Sequence, residues 1–230
     1  MSGFTLLELL AVVAILTLVM GAVFTAISSL QKVYKTQETK LDATQETRNL
    51  LDEIGRELHQ SGFPGPNMFD PGVLPNPNWQ TDQRVAVGIV NLTPTQLWFE
   101  GDVDNDGAVE SVQYTLLNSA GGLASAGGTC PCTLQRSIVQ KQNGTAPNAQ
   151  PVVAVSTLAN VINTGGALPI AGNTNGANND ILFASYKNPA VFQQVGKTII
   201  VTLNVLTANM DQQNLTRPAL SMTVTAKLNN

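Results

Sequence analysis

Residues 9–30 read LLAVVAILTLVMGAVFTAISSL, 22 positions without a charge. As an α-helix rising 1.5 Å per residue, the run is about 33 Å long, enough to cross the hydrocarbon core of a bilayer. A removable secretory signal has a shorter apolar stretch, a basic start and a small-residue cleavage site. Here no Lys or Arg precedes the run, and its far end, AISSLQKVYK, is a mediocre cleavage site. Length and flanks favour a membrane helix.

Downstream, nothing stops that helix. Gln31 to Gln60 holds no proline and one glycine, Gly55. Its apolar residues thin to a stripe of Val33, Leu41, Leu50, Leu51, Ile54 and Leu58, spaced mostly for one helical face. Gln37, Thr44 and Arg48 break the heptad that a coiled-coil stalk would need. Ser61-Gly62-Phe63-Pro64-Gly65-Pro66 is a strong stop. The spacing predicts one helix from Phe4 to Gln60, about 85 Å long, with an embedded first half and a second half packed on a head.

Past the helix the pattern changes. Residues 63–82 hold five prolines and predict a loop that wraps the head. Strands are expected at Arg84–Val90, Gln96–Glu100, Val109–Leu117, Thr133–Val139, Ile181–Tyr186, Thr198–Leu206 and Leu220–Leu228, all rich in β-branched or aromatic residues. Gly, Asn and Pro clusters between Gly144 and Asn179, around Val152 to Val161, predict a surface insertion. The fold class is α+β: a long N-terminal helix, half membranous and half amphipathic, packed on an antiparallel β-sheet head. Apolar residues make up 43% of the chain and charged ones only 12%, with a net charge of −4. Without a basic field, nucleic acid is not expected as a primary ligand. A single histidine, His59, excludes a multi-histidine metal site.

One residue near the apolar run is out of place. Glu8 stands at its mouth, within GFTLLELL, and a carboxylate at a membrane edge costs free energy and is usually functional. The bland role is an acid at headgroup level that favours the positive end of the helix dipole. The run Gly3-Phe4-Thr5-Leu6-Leu7-Glu8-Leu9-Leu10, followed by the long apolar stretch, resembles the class III signal of type IV prepilins and type II secretion pseudopilins. The resemblance implies that a prepilin peptidase cuts between Gly3 and Phe4, that Phe4 is methylated, and that Thr5 and Glu8 serve assembly. The leader reads only Met1-Ser2-Gly3, without the basic residue usual in that family.

The implied parts are a leader at 1–3, a transmembrane or filament-core half at 4–30, an amphipathic half at 31–62 and a β-rich head at 63–230. GDVDNDGAVESVQYTL at 101–116, NDILFASYKN at 179–188, KTIIVTLNVL at 197–206 and the closing RPALSMTVTAKLNN look like the head of W-type minor pilins. The partners implied are other pilin subunits in a helical filament, the peptidase, an inner-membrane assembly platform and membrane lipid. The expected location is the inner membrane before assembly and the extracellular filament after it. A minor pilin is favoured, a pseudopilin is its near neighbour, and a membrane-anchored module binding a ligand or calcium is the alternative from another class.

Two smaller signals remain. Asp102, Asp104 and Asp106 alternate ahead of Gly107, so their carboxylates can converge on one calcium ion, with Glu110 adding an oxygen. Gln113 stands where an EF-hand loop would need Glu, and Asp, Asn and Gly between strands make a hairpin turn, the favoured reading of the two. Cys130 and Cys132 flank Pro131, a spacing open to a short disulfide, to a thiol metal clip or to two small residues in a loop, though two thiolates do not complete a structural zinc site. No nucleophile elbow, phosphate loop or metalloprotease helix occurs, so no enzyme activity is expected.

Overall fold

The computed structural model describes residues 5–124, 130–163, 183–185, 198–211 and 216–228. Helix α1, Leu6–Gln60, is 55 residues long. It starts on a capping box: the Glu8 N–H donates to Thr5 Oγ1 at 3.4 Å, and the Thr5 N–H donates to the Glu8 carboxylate at 3.0 Å. That exchange satisfies two backbone donors that a helix start otherwise leaves open. Hydroxyls inside the apolar stretch are also occupied. Thr17 donates to the Ala14 carbonyl and Thr25 to that of Gly21, each at 2.8 Å, so neither brings an unmet donor into an apolar medium.

The two halves of α1 have different surroundings. From Leu6 to Leu30 every side chain is exposed, including Leu6 at 80% and Leu18 at 75%. In the second half Thr47, Leu50, Leu51, Ile54, Glu57 and Leu58 are buried, at the three- and four-residue steps of one helical face. Leu41, expected on that stripe, is 61% exposed, because tight packing against the head begins a turn and a half further on.

Among the described residues, the head is a curled, antiparallel eight-stranded sheet. Its strands are β1 (Ile89–Thr93), β2 (Gln96–Gly101), β3 (Glu110–Leu117), β4 (Cys132–Gln140), β5 (Ala154–Val161), β6 (Phe183–Ser185), β7 (Thr198–Leu206) and β8 (Ala219–Lys227). The order is β1-β2-β3-β4-β5-β7-β6, with β8 pairing β7. Leu50, Leu51, Ile54 and Leu58 of α1 meet Leu97, Phe99, Val112, Tyr114, Leu134 and Leu203 in one core. This is the α+β arrangement expected.

The end of α1 is joined to the sheet through its backbone. The Gly62 N–H donates to the Glu100 carbonyl and the Asp102 N–H to that of Phe63, both at 2.8 Å. Gly101 lies between them, where a Cβ would come within 2.9 Å of the Gln60 carbonyl carbon. Only a glycine allows so close an approach of helix end and strand.

Two expected elements differ. Arg84 to Val90 is not a strand until Ile89. Val85 and Ala86 are buried, but their backbone bonds go elsewhere: Val85 N–H to the Asp82 carbonyl and Ala86 N–H to that of Pro64. Apolar content there reflects burial of a coil, not sheet pairing. Conversely, part of the expected surface insertion, Ala154–Val161, is a strand integral to the sheet. It pairs with β4 at five positions and meets β7 at Val161 and Val205. Irregular register beside Leu134 and a positive φ of 61° at Asn160 explain why its alternation is weak. Residues 63–82 form the expected irregular loop, with two short 3-10 turns at Pro66–Met68 and Trp79–Thr81.

Candidate functional site

The apolar half of α1 is the most conspicuous surface of the chain. Fifteen large apolar side chains between Leu6 and Leu30 are at least 44% exposed. Burying a Val, Leu, Ile, Phe or Met side chain is worth about 1.5–3 kcal/mol, so leaving this stretch in water would cost on the order of tens of kcal/mol. The stretch is long and apolar enough to cross a membrane. At its mouth, the Thr5 N–H and the Thr5 hydroxyl both donate to Glu8 Oε2 at 3.0 Å. Gly3 and Phe4, the expected cleavage and methylation positions, lie outside the described residues.

Where α1 enters the head, a polar cluster crosses the helix–sheet boundary. The buried Tyr114 hydroxyl of β3 donates to Glu57 of α1 at 2.7 Å, and Arg136 of β4 pairs with the same Glu57. Glu53, one turn back, stands 3.7 Å from the Arg136 guanidinium. Burial, reinforced by the Glu57 charge and hydrogen bond, pushes the Tyr114 hydroxyl well above its usual pKa. For Arg136 burial works against the charge, but the bonds and charges of Glu57 outweigh it and hold the guanidinium pKa above its ordinary value. The cluster fixes how α1 turns on the sheet, since only one rotation presents Glu57 to both partners.

A second buried pair fastens the proline-rich loop. The Lys141 ammonium and the Glu100 carboxylate are fully buried and 2.7 Å apart. The ammonium also donates to the Gln80 and Val85 carbonyls at 2.7 and 2.8 Å. Burial pushes the Glu100 carboxyl above the usual range, against the opposing pull of Lys141 and the Val87 N–H. With all three ammonium donors used, the pair ties residues 80–87 to the sheet. Neither cluster is legible in spacing: their members are far apart in sequence and of common type. The faint signal is a charge ending an apolar strand, as Glu100 does after Leu97-Trp98-Phe99.

The acidic turn has the expected convergence. Carboxylate oxygens of Asp102, Asp104 and Asp106 lie within 4.8 Å of one another. The same oxygens accept backbone bonds: Asp106 N–H reaches Asp102 and Asp104 at 3.1 Å, Gly107 N–H reaches Asp102 at 3.1 Å, and Ala108 N–H reaches Asp106 at 2.7 Å. Those bonds account for the loop as a hairpin turn between β2 and β3. Glu110 turns inward to accept from the Val103 N–H at 3.0 Å, and burial, aided by the three aspartates, pushes its carboxyl up to about 7. Cys130 and Cys132 are disulfide-bonded, with Cα atoms 4.6 Å apart.

Comparisons with family models, with curated proteins and with solved structures find no match. The functional reading therefore rests on this chain's own residues.

Proposed function

We propose that the chain is a structural subunit of the type IV pilin kind, a minor pilin that primes or joins a filament, with a type II secretion pseudopilin as the neighbouring form of the same reading. One observation carries it: a single continuous helix whose second half is fixed in a folded head while its first half is exposed and apolar. Such a half needs lipid around it, or copies of itself. A subunit that waits in the membrane and then packs helix against helix meets the need in both states.

Glu8 supplies the register in this reading. Cutting after Gly3 frees an α-amino group on Phe4, one cation at the head of an apolar rod. In a filament, that amine on an incoming subunit approaches Glu8 of a neighbour, and the pair recovers much of what each charge costs when buried alone. Both Thr5 bonds fall on Oε2, and among the described residues the second carboxylate oxygen takes no hydrogen bond, which in this reading leaves it for the amine. Only one axial stagger satisfies both groups.

The test is mass spectrometry of the full chain produced with a prepilin peptidase, together with filament incorporation of Glu8→Ala. The expected mature chain starts at methylated Phe4. Removing one partner of a buried pair costs about 3–5 kcal/mol, so the variant's incorporation should fall on the order of a hundredfold. A mature chain that starts elsewhere, or Glu8→Ala incorporated as well as wild type, would overturn the proposal.

A further inference from the structure

A cleft of about 210 Å³ opens where α1 leaves its apolar half. One wall is Lys35, Thr36 and Thr39 of α1; the other is Thr207, Asn209, Met210 and Pro218, from the segments that connect β7 to β8. The cleft lies at a definite height. Lys35 is five residues past Leu30, the last residue of the apolar run, and therefore about 7.5 Å along the helix axis. The polar layer on each side of a bilayer is about 5–8 Å thick, so Lys35 falls at headgroup level when the run spans the membrane.

The chemistry of the lining is one-sided. Lys35 is the charged residue in it, exposed, with no ion-pair partner among the described residues. Thr36 and Thr39 beside it offer hydroxyl oxygens, and Asn209 on the far wall adds a side-chain amide. The Thr36 hydroxyl already donates to the Lys32 carbonyl at 3.0 Å and the Thr39 hydroxyl to that of Lys35 at 2.9 Å, so toward a ligand each hydroxyl oxygen acts as an acceptor. The far wall is held in place by Arg217, whose Nε donates to the Thr207 carbonyl at 2.7 Å, and by the Thr207 N–H bond to the Pro218 carbonyl at 2.9 Å. An ammonium beside hydroxyl acceptors suits a phosphate that carries further hydroxyls. Met210, 61% exposed, and Pro218 add an apolar side for the first carbons of an acyl chain.

We infer that this cleft binds the headgroup of an anionic phospholipid, phosphate on Lys35 and headgroup hydroxyls on Thr36 and Thr39. The inference rests on the membrane-inserted state of the proposed function. A bound lipid there would set the depth of the subunit in the bilayer and the angle of the head above it. Lys40 gives an internal control: it is exposed on the same stretch of helix but does not line the cleft.

The experiment uses the full chain in vesicles of phosphatidylcholine with and without phosphatidylglycerol. Flotation measures insertion, and native mass spectrometry after gentle detergent extraction measures retained lipid. A lysine near an anionic surface is worth about 1 kcal/mol, or roughly fivefold. Lys35→Gln should therefore lower retained phosphatidylglycerol about fivefold, and Lys40→Gln should leave it near wild type. Equal losses in the two variants would mean a general surface charge effect and overturn the site. Retained lipid without preference for phosphatidylglycerol would do the same. Displacement of the lipid by millimolar inorganic phosphate would make free phosphate the ligand instead. If the chain floats with vesicles yet Lys35→Gln changes nothing, the cleft proposal fails while membrane insertion stands; if it does not float, both fail.

Discussion

The two halves of α1 belong to one helix but are kept helical for different reasons. In the half that ends at Gln60, Ile54 and Leu58 are fully buried against the sheet, and Glu57 is gripped by Tyr114 and Arg136. That half is helical because tertiary packing rewards one face. In the half that begins at Leu6, no face is preferred, since every residue is exposed and nearly all are apolar. A helix that is apolar all round is one meant to be surrounded. The contrast teaches that packing on the head and the apolar character of the exposed rod belong to separate stretches of the same element, which substitutions can address one at a time.

The largest expected contrast is between Ile54→Ala and Leu16→Ala. Deleting the buried Ile54 side chain should cost the head about 3 kcal/mol, transfer and cavity together. Leu16, 54% exposed, has no head partner to lose, and its truncation should shift head stability by less than about 0.5 kcal/mol. Both tryptophans, Trp79 and Trp98, lie in the head, so urea unfolding of the detergent-solubilised chain followed by fluorescence reads the head alone. Equal losses would mean that the two halves are coupled.

Tyr114→Phe should come next. It removes the hydrogen bond to Glu57 while leaving Arg136 in place, and a bond to a charged group is worth about 1.5–3 kcal/mol. The same unfolding measurement should show a loss near the lower figure. No change would mean that Arg136 alone fixes the rotation of α1.

The smallest effect sharpens the comparison from the other direction. A Cβ on Gly55 would meet Val224 of β8 at 3.7 Å, an ordinary contact, and helical glycine costs about 0.5–1 kcal/mol relative to alanine. Gly55→Ala should therefore raise head stability by up to that amount. Gly21→Ala, with nothing within 4 Å, should leave it unchanged. A destabilised Gly55→Ala would show that α1 and β8 pack more tightly than these distances allow.

Much of the architecture was legible beforehand because it is written in local patterns. The stop after Gln60 follows from glycine and proline, and β7 and β8 follow from runs of β-branched residues. Where local pattern and pairing part company, legibility fails. Val85 and Ala86 are apolar enough for a strand but are buried as coil, their place decided by Lys141 reaching the Val85 carbonyl from 56 residues away. Ala154–Val161 lies among turn-forming residues yet joins the sheet, because β4 offers it an edge. Of the candidate sites, the convergence of Asp102, Asp104 and Asp106 could be read from alternate spacing, whereas the Glu57–Tyr114–Arg136 cluster could not.

By itself, the sequence determined that there is a long helix, where its charge-free stretch begins and ends, and that an acid stands at its mouth. These are properties of consecutive residues, set by backbone geometry and by transfer of side chains from water. Only the tertiary structure decided how far up the second half burial reaches, that Gly101 must lack a side chain, and that Lys141 and Glu100 pair. Each of those depends on which distant segments meet, and sequence distance carries no record of it.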